Sequence, residues 1–461
     1  MRIQYETIML CLGFLLTTTT GMAADAKAAA PQDKACGPPN YCARTDRKVE
    51  PYPVTPPKLG PAGSSVIDPN FGTRILRVTD QKTDAKRQGG ALMTPSSAEQ
   101  NSWNSTSTRF YAETSGGQYL LYDFDPATMT AHPSRSFGTP WGGEPQFGYT
   151  QPNVMYGFGG HSTEFQQYDI SSDKVTILHD IASCVKLDAD DIGHSITVSA
   201  DDNRMETAVG PKQGENYIVY IYDRQLGCRW YNTNTGEIGG KWGPKGTVST
   251  PDRFTIHNVR MSKSGKYVYV ARANPSPHHH WVIWEVDTMN VVVCPSECGG
   301  HRALGYSHLV GPSGQSHPLD LLIRPLNHLE DSRQLIPGLG RTNGYWYDQH
   351  FSWNNTNPDD TNPICLSTYR PSNPNTPGTP LAVDGPWENE ILCAETDGKD
   401  SKVWRFAHTF STAKNGFWST PRGNISPDGR FFMFTSDWED QLGETPNGKK
   451  YRTDVFIIEL K

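Results

Sequence analysis

In the stretch Phe254–Asp287, FTIHNVRMSKSGKYVYVARANPSPHHHWVIWEVD, residues His257, Val259 and Met261 alternate along one run. A tight S-K-S-G-K turn follows, then a second apolar run from Tyr267 to Ala271, a polar loop, and a third run ending at Asp287. Alternation with period two, broken by glycine turns, marks short antiparallel strands and speaks against a helix. Three or four such strands cannot bury both of their faces alone. The unit has to stack on copies of itself, as propeller blades do.

Copies are present. Asn424–Ser436 reads NISPDGRFFMFTS and Thr453–Leu460 reads TDVFIIEL, in the same order of polar residue, Ser-x-x-Gly-basic turn, aromatic or β-branched strand, loop and closing apolar strand. Pro427, Asp428 and Gly429 suit a turn in which Gly takes a positive φ. Weaker copies begin near Ser102, Gly143, Gly193, Gly300 and Gln349. The expected fold is therefore all-β, a seven-bladed β-propeller of four-stranded antiparallel blades over residues 66–461. RILRVT (Arg74–Thr79) is expected to pair beside TDVFIIEL, closing the ring and hiding two sheet edges.

Composition supports short strands and many turns: 461 residues carry 43 Gly, 35 Pro and 11% aromatics. A net charge of −7 argues against a nucleic-acid partner, which needs a basic surface. Residues 1–24 read as a secretory signal: Arg2 supplies the charged start, Ile8–Leu16 is an apolar core too short to span a bilayer, and small residues follow. Residues 25–65 read as a flexible N-terminal arm. No later stretch is apolar enough for a transmembrane helix, so the expected product is a secreted or periplasmic monomer. Once Cys11 leaves with the signal, eight of nine cysteines remain, an even number that suits an oxidising compartment. Spacing offers Cys36 with Cys42, Cys294 with Cys298 and Cys365 with Cys393, leaving Cys184 with Cys228.

The first strand of each blade lines a propeller's central channel, and the starts of those strands converge at one end of it. His194, His257, His308 and His350 fall at or near such starts in blades three to six. Around them the sequence places Gln146, Asn258, Arg260, His301, Tyr306, Gln349, Trp353, Asn354, Trp418 and Arg422. Converging imidazoles can bind a divalent metal (manganese, calcium or zinc) or act as a base, and Arg can neutralise a carboxylate. That combination suits β-elimination from a uronic acid, with His257, His194, Arg260, Arg422 and Tyr306 as catalytic candidates. Trp103, Trp353 and Trp418 offer flat faces for sugar stacking, and Asn104, Gln146, Asn258 and Asn354 offer hydrogen bonds. His278–His280 reads as a solvated loop.

The S-P-D-G-R turn and the repeat layout resemble the WD-like propellers of exported bacterial proteins, and the histidine arrangement is similar to that of oligogalacturonate lyases. The resemblance implies a seven-bladed propeller with a His/Gln-bound manganese and a His-plus-Arg elimination. On this sequence it implies His308, Gln349 and His350, with His301 beside them, as metal ligands, and His257 with Arg260 or Arg422 as catalytic residues. One departure is visible: Gln349 and His350 are adjacent, so strand alternation points them to opposite faces unless a bulge intervenes. Arg260 stands in the same relation to His257. The expected ligand is an acidic oligo- or polysaccharide, cleaved by a lyase or, in the alternative reading, bound without cleavage by a propeller that takes a glycan or a protein partner.

Overall fold

The computed structural model describes residues 36–83, 91–137, 141, 143–248, 253–273, 281–294, 298, 301–313, 319–339, 341–342, 345–346, 348–369, 385–397, 402–413, 416–443 and 452–461. The signal-like segment and the His278–His280 tract lie outside them. Among the described residues, seven antiparallel sheets of four or more strands follow one another along the chain. They open at Leu92, Gln146, Ile192, Ile256, Ala303, Asp348 and Gly423. The last is completed from the N-terminus: Arg74–Arg77 pairs with Asp454–Glu459, setting Ile75 opposite Ile458, as the RILRVT segment suggests.

Seven apolar clusters hold the sheets together, and each is shared by two neighbours. Tyr111 and Leu121 of the first sheet meet Phe147 and Met155 of the second, and Tyr156 and Phe165 meet Val198 and Met205 of the third. Tyr231 meets Trp284, Ile283 meets Leu309, Val310 meets Phe351 and Leu366, and Cys393 meets Phe432. The seventh cluster packs Phe431 and Ile457 against Trp103 and Phe110 of the first sheet, which closes the ring. This explains why Ile364–Tyr369 and Phe431–Ser436 are buried at every position. Both faces of these strands are covered, so a solvated face never alternates in.

The recurring turn ends each inner strand at the far side of the ring. Gly265 (φ +70°) and Gly429 (φ +71°) sit in the left-handed region, while the Oγ atoms of Ser262 and Ser426 accept the N–H of Tyr267 and Phe431. In the third sheet Asp202 takes the glycine's place at φ +56°. Asn104 is the first sheet's version: its Oδ1 accepts the N–H groups of Thr108 and Arg109 at 2.8 and 2.9 Å.

Residues 36–62 run along the outside of the last two sheets. Arg44 bridges to Arg405 on the outer strand of the sixth sheet, Tyr41 packs edge-on against Trp404 and Phe406, and Trp438 Nε1 donates to Pro57 O. Three of the four cysteine pairs suggested by spacing are disulfides: Cys36–Cys42, Cys184–Cys228 and Cys365–Cys393. Cys294 and Cys298 differ, standing as buried thiols in contact between the fourth and fifth sheets. The disulfides fit an oxidising, extracytoplasmic setting, and no described helix is long and apolar enough to cross a membrane.

Arg405 fastens this segment. Fully buried, it grips the fully buried Glu390 through two bonds of 2.6 and 2.8 Å and reaches Asp46 at 2.8 Å. Removing one partner of such a pair leaves a buried charge alone, at a cost of about 3–5 kcal/mol. Arg405→Met is therefore expected to lower unfolding free energy by about that amount in a urea titration, and adding Glu390→Leu is expected to restore much of it.

Candidate functional site

The starts of the inner strands converge on a cavity of about 650 Å³, within the range of small-ligand sites. Every sheet contributes to its wall: Ser96–Glu99 and Glu113, Gly143 and Glu144, His194 and Ser195, His257, Asn258 and Arg260, His301 and Arg302, His350 and Phe351, and Phe417 with Trp418. Beneath it, between Gln146, Glu99, Arg260 and Lys263, the channel narrows to about 10 Å³. That leaves room for at most a water.

His257 is exposed to the cavity. Pairing runs Ile256 with Arg272 and then Asn258 with Ala271, so His257 is an extra residue in its strand. The bulge removes the alternation problem, because His257 joins Asn258 and Arg260 on the cavity side. Burial, then the charges of Arg302, Arg260 and His301, depress its pKa and favour the neutral imidazole. Arg302 is buried between the rings of Tyr269 (3.5 Å) and Trp281 (4.9 Å), and burial brings its pKa down to about 9. Arg260 is also buried, with Nη1 donating to Val259 O and Nε lacking a partner. Glu99 faces this cluster; burial raises its carboxyl, against the pull of Arg260, Arg302 and Lys263.

His301 and His350 lie ring to ring at 4.3 Å. Burial lowers the pKa of His301, but its bond to Asp348 (3.2 Å) outweighs this and the net shift is upward. Burial, His301 and Arg422 hold His350 well down, and its Nε2 is buried without a partner. No bulge interrupts Asp348–Ser352, so Gln349 faces away from the cavity that His350 lines. Phe417 and Trp418, each 44% exposed, form an aromatic rim. The Arg422 guanidinium lies 4.4 and 5.2 Å from their ring centres, buried below the rim and off the cavity wall.

Several sequence candidates sit elsewhere. His308 begins the second strand of the fifth sheet, because Ala303–Leu304 is the inner one. It is held at the turn by Asp360 (2.9 Å), and Tyr306 lies in that same turn with its N–H on Asp360. Trp353 and Asn354 follow the sixth inner strand to the opposite mouth, where with Pro38, Tyr41 and Pro427 they line a space of about 180 Å³. Trp103 is fully buried between the seventh and first sheets. Asn104 serves its turn. Gln146 faces the narrow channel below the cavity. His194 lines the cavity with Nε2 tied to Gly210 O at 2.9 Å. Glu99, Glu113, Arg302 and Phe417 line the cavity without being among the sequence candidates. The Arg302 signal was available, since it follows His301 immediately before an inner strand. Glu113 lies at the end of a second strand, outside the pattern of inner-strand starts.

No protein-family model and no curated protein matches this sequence. In structure the chain is similar to an oligogalacturonate lyase in complex with manganese, at 11% identity and a TM-score of 0.52, over 88% of this chain and 98% of that one. An oligogalacturonate lyase from Vibrio parahaemolyticus is 10% identical, with a TM-score of 0.49, over 86% of this chain and 96% of its own. The WD40 domain of Neurospora crassa Pan2 is 9% identical, with a TM-score of 0.42 over 80% of this chain. At such identities the likeness concerns the fold. The chain is a β-propeller with partial similarity to the oligogalacturonate-lyase propellers.

The manganese of the first neighbour prompts a test of the donor set. Of the expected ligands only His301 and His350 come together; His308 is bound to Asp360 and Gln349 faces away. Among the described residues no three His, Cys, Asp or Glu side chains group as a metal set. Two imidazoles, one bonded to Asp348, do not make the expected His/Gln shell.

Removing a nearby cation raises a histidine's pKa, and removing a nearby carboxylate lowers it. In an NMR titration Arg302→Met is expected to move His257 upward, and Asp348→Asn to move His301 downward. Unmoved titrations would show that these groups do not face one another.

Proposed function

We propose that this chain is an exported carbohydrate-active propeller that cleaves uronic-acid-containing oligo- or polysaccharides by β-elimination. The observation that carries this reading is the His257 imidazole, open to the cavity and with its pKa depressed, beside Arg260 and Arg302 on one wall. Arg260 and Arg302 receive the uronate carboxylate and stabilise the negative charge that develops as C5 loses its proton. His257 takes that proton, acting as the general base. Phe417 and Trp418 offer apolar ring faces to a neighbouring sugar. His194, held by Gly210, shapes the wall, and Asp348 holds His301 in place and shifts its pKa upward. The three disulfides support export, and the 98% coverage of the lyase neighbour supports the substrate class. A second reading, glycan binding without cleavage, draws on the exposed aromatic rim, and binding heat without a new double bond would favour it.

The test is a panel of uronate oligomers followed by ultraviolet absorbance of the C4=C5 bond conjugated to the carboxylate. His257→Ala is expected to lower kcat about 10²–10⁴-fold, the usual worth of a positioned base. Arg302→Met is expected to raise KM about 10- to 100-fold, since a hydrogen bond to a charged group contributes about 1.5–3 kcal/mol. The base works only when neutral, so activity is lost as pH falls through the depressed His257 pKa. The acid limb is therefore expected below the ordinary histidine value of about 6.5.

A further inference from the structure

β-Elimination also has to protonate the leaving oxygen, and the roles above assign no group to that task. The wall contributed by the first sheet, three sheets round the ring from His257, carries one. Glu113, near the end of the strand Arg109–Thr114, lines the cavity. Its Oε2 is shut off from solvent and has no hydrogen-bond partner. The adjacent groups are already engaged. Both oxygens of Glu144 accept N–H groups, Oε1 from Ser96 and Oε2 from Ser97. Tyr119, the cross-strand partner of Glu113, donates its hydroxyl to Gly143 O at 2.7 Å.

We propose that Glu113 is the general acid of the elimination, giving its carboxyl proton to the glycosidic oxygen; this rests on the lyase reading above. Burial and the charge of Glu144 push the Glu113 carboxyl well up, against the pull of Arg422, and Tyr111 and Tyr119 are the other titratable groups facing it. A carboxyl kept protonated at neutral pH is what a general acid needs. His257 takes the C5 proton, the C5–H electron pair becomes the C4=C5 double bond, the C4–O4 bond breaks, and O4 receives the Glu113 proton. One fragment leaves as an alcohol and the other carries the unsaturated uronate. Imidazolium and carboxylate then exchange protons with water, and no co-reactant is required. With base and acid on opposed walls, H5 and O4 depart from opposite faces of the sugar ring.

The experiment compares wild type and Glu113→Gln on two uronides, one with a sugar at O4 and one with a nitrophenyl group there, which leaves without protonation. On the sugar-linked substrate kcat is expected to fall about 10²–10⁴-fold with KM unchanged. On the nitrophenyl substrate the two proteins are expected to match. Equal loss on both substrates, or none on the sugar-linked one, overturns the assignment while leaving the lyase reading intact. Cleavage only of uronates whose H5 and O4 share a face overturns it as well. If thermal melting shows that Glu113→Gln does not fold, Glu113→Asp takes its place in the two-substrate comparison, and equal loss on both substrates overturns the acid. Wild type that forms no double bond from any uronide overturns the lyase reading and the acid with it.

Discussion

Among the described residues every sheet packs apolar side chains on both of its faces, and no helix covers one. Only another sheet of the same kind can do so, which leaves a closed ring as the arrangement without an uncovered face. Each of the seven apolar clusters is therefore shared by neighbours. Closure also brings the two chain ends together, and Ile75 opposite Ile458 is its seam.

The ring sorts polar chemistry by height. Turn residues such as Asn104, Asp202 and Asp360 spend their side chains on backbone N–H groups at one end. At the other end the strand starts turn theirs inward, so His257, Arg260 and Arg302 face a common space together with Glu99 and Glu113. Burial, then the charges of Arg302, Arg260 and His301, depress the pKa of the His257 imidazole that stands beside the two arginines. A single site thus holds an imidazole with a depressed pKa, two arginines and a carboxyl pushed upward.

The repeat, the turn chemistry and the N-terminal seam were legible in the sequence because each is local or depends on period. The histidine convergence was legible for His194, His257 and His350, whose phase within the repeat is plain. His308 and Tyr306 were misplaced by one hairpin: the fifth inner strand, Ala303–Leu304, is only two residues long, and the stronger run at His308 hid it. Trp353 and Asn354 follow His350 by three and four residues, and at about 3.3 Å per residue a strand carries them to the other mouth.

The sequence by itself determined an all-β repeat protein, the turn at the end of each blade, and which residue types stand where inner strands begin. Periodicity and turn residues encode these within a few positions. Only the tertiary structure decided which side chains share the cavity. The bulge at His257 turns it to the side of Arg260, while the regular register at Asp348–Ser352 turns Gln349 away from His350. Ring closure brings Glu113, from a second strand, to the wall facing His257. A one-residue shift in register reverses the face of every side chain beyond it, and that shift is settled by packing between sheets far apart in the chain.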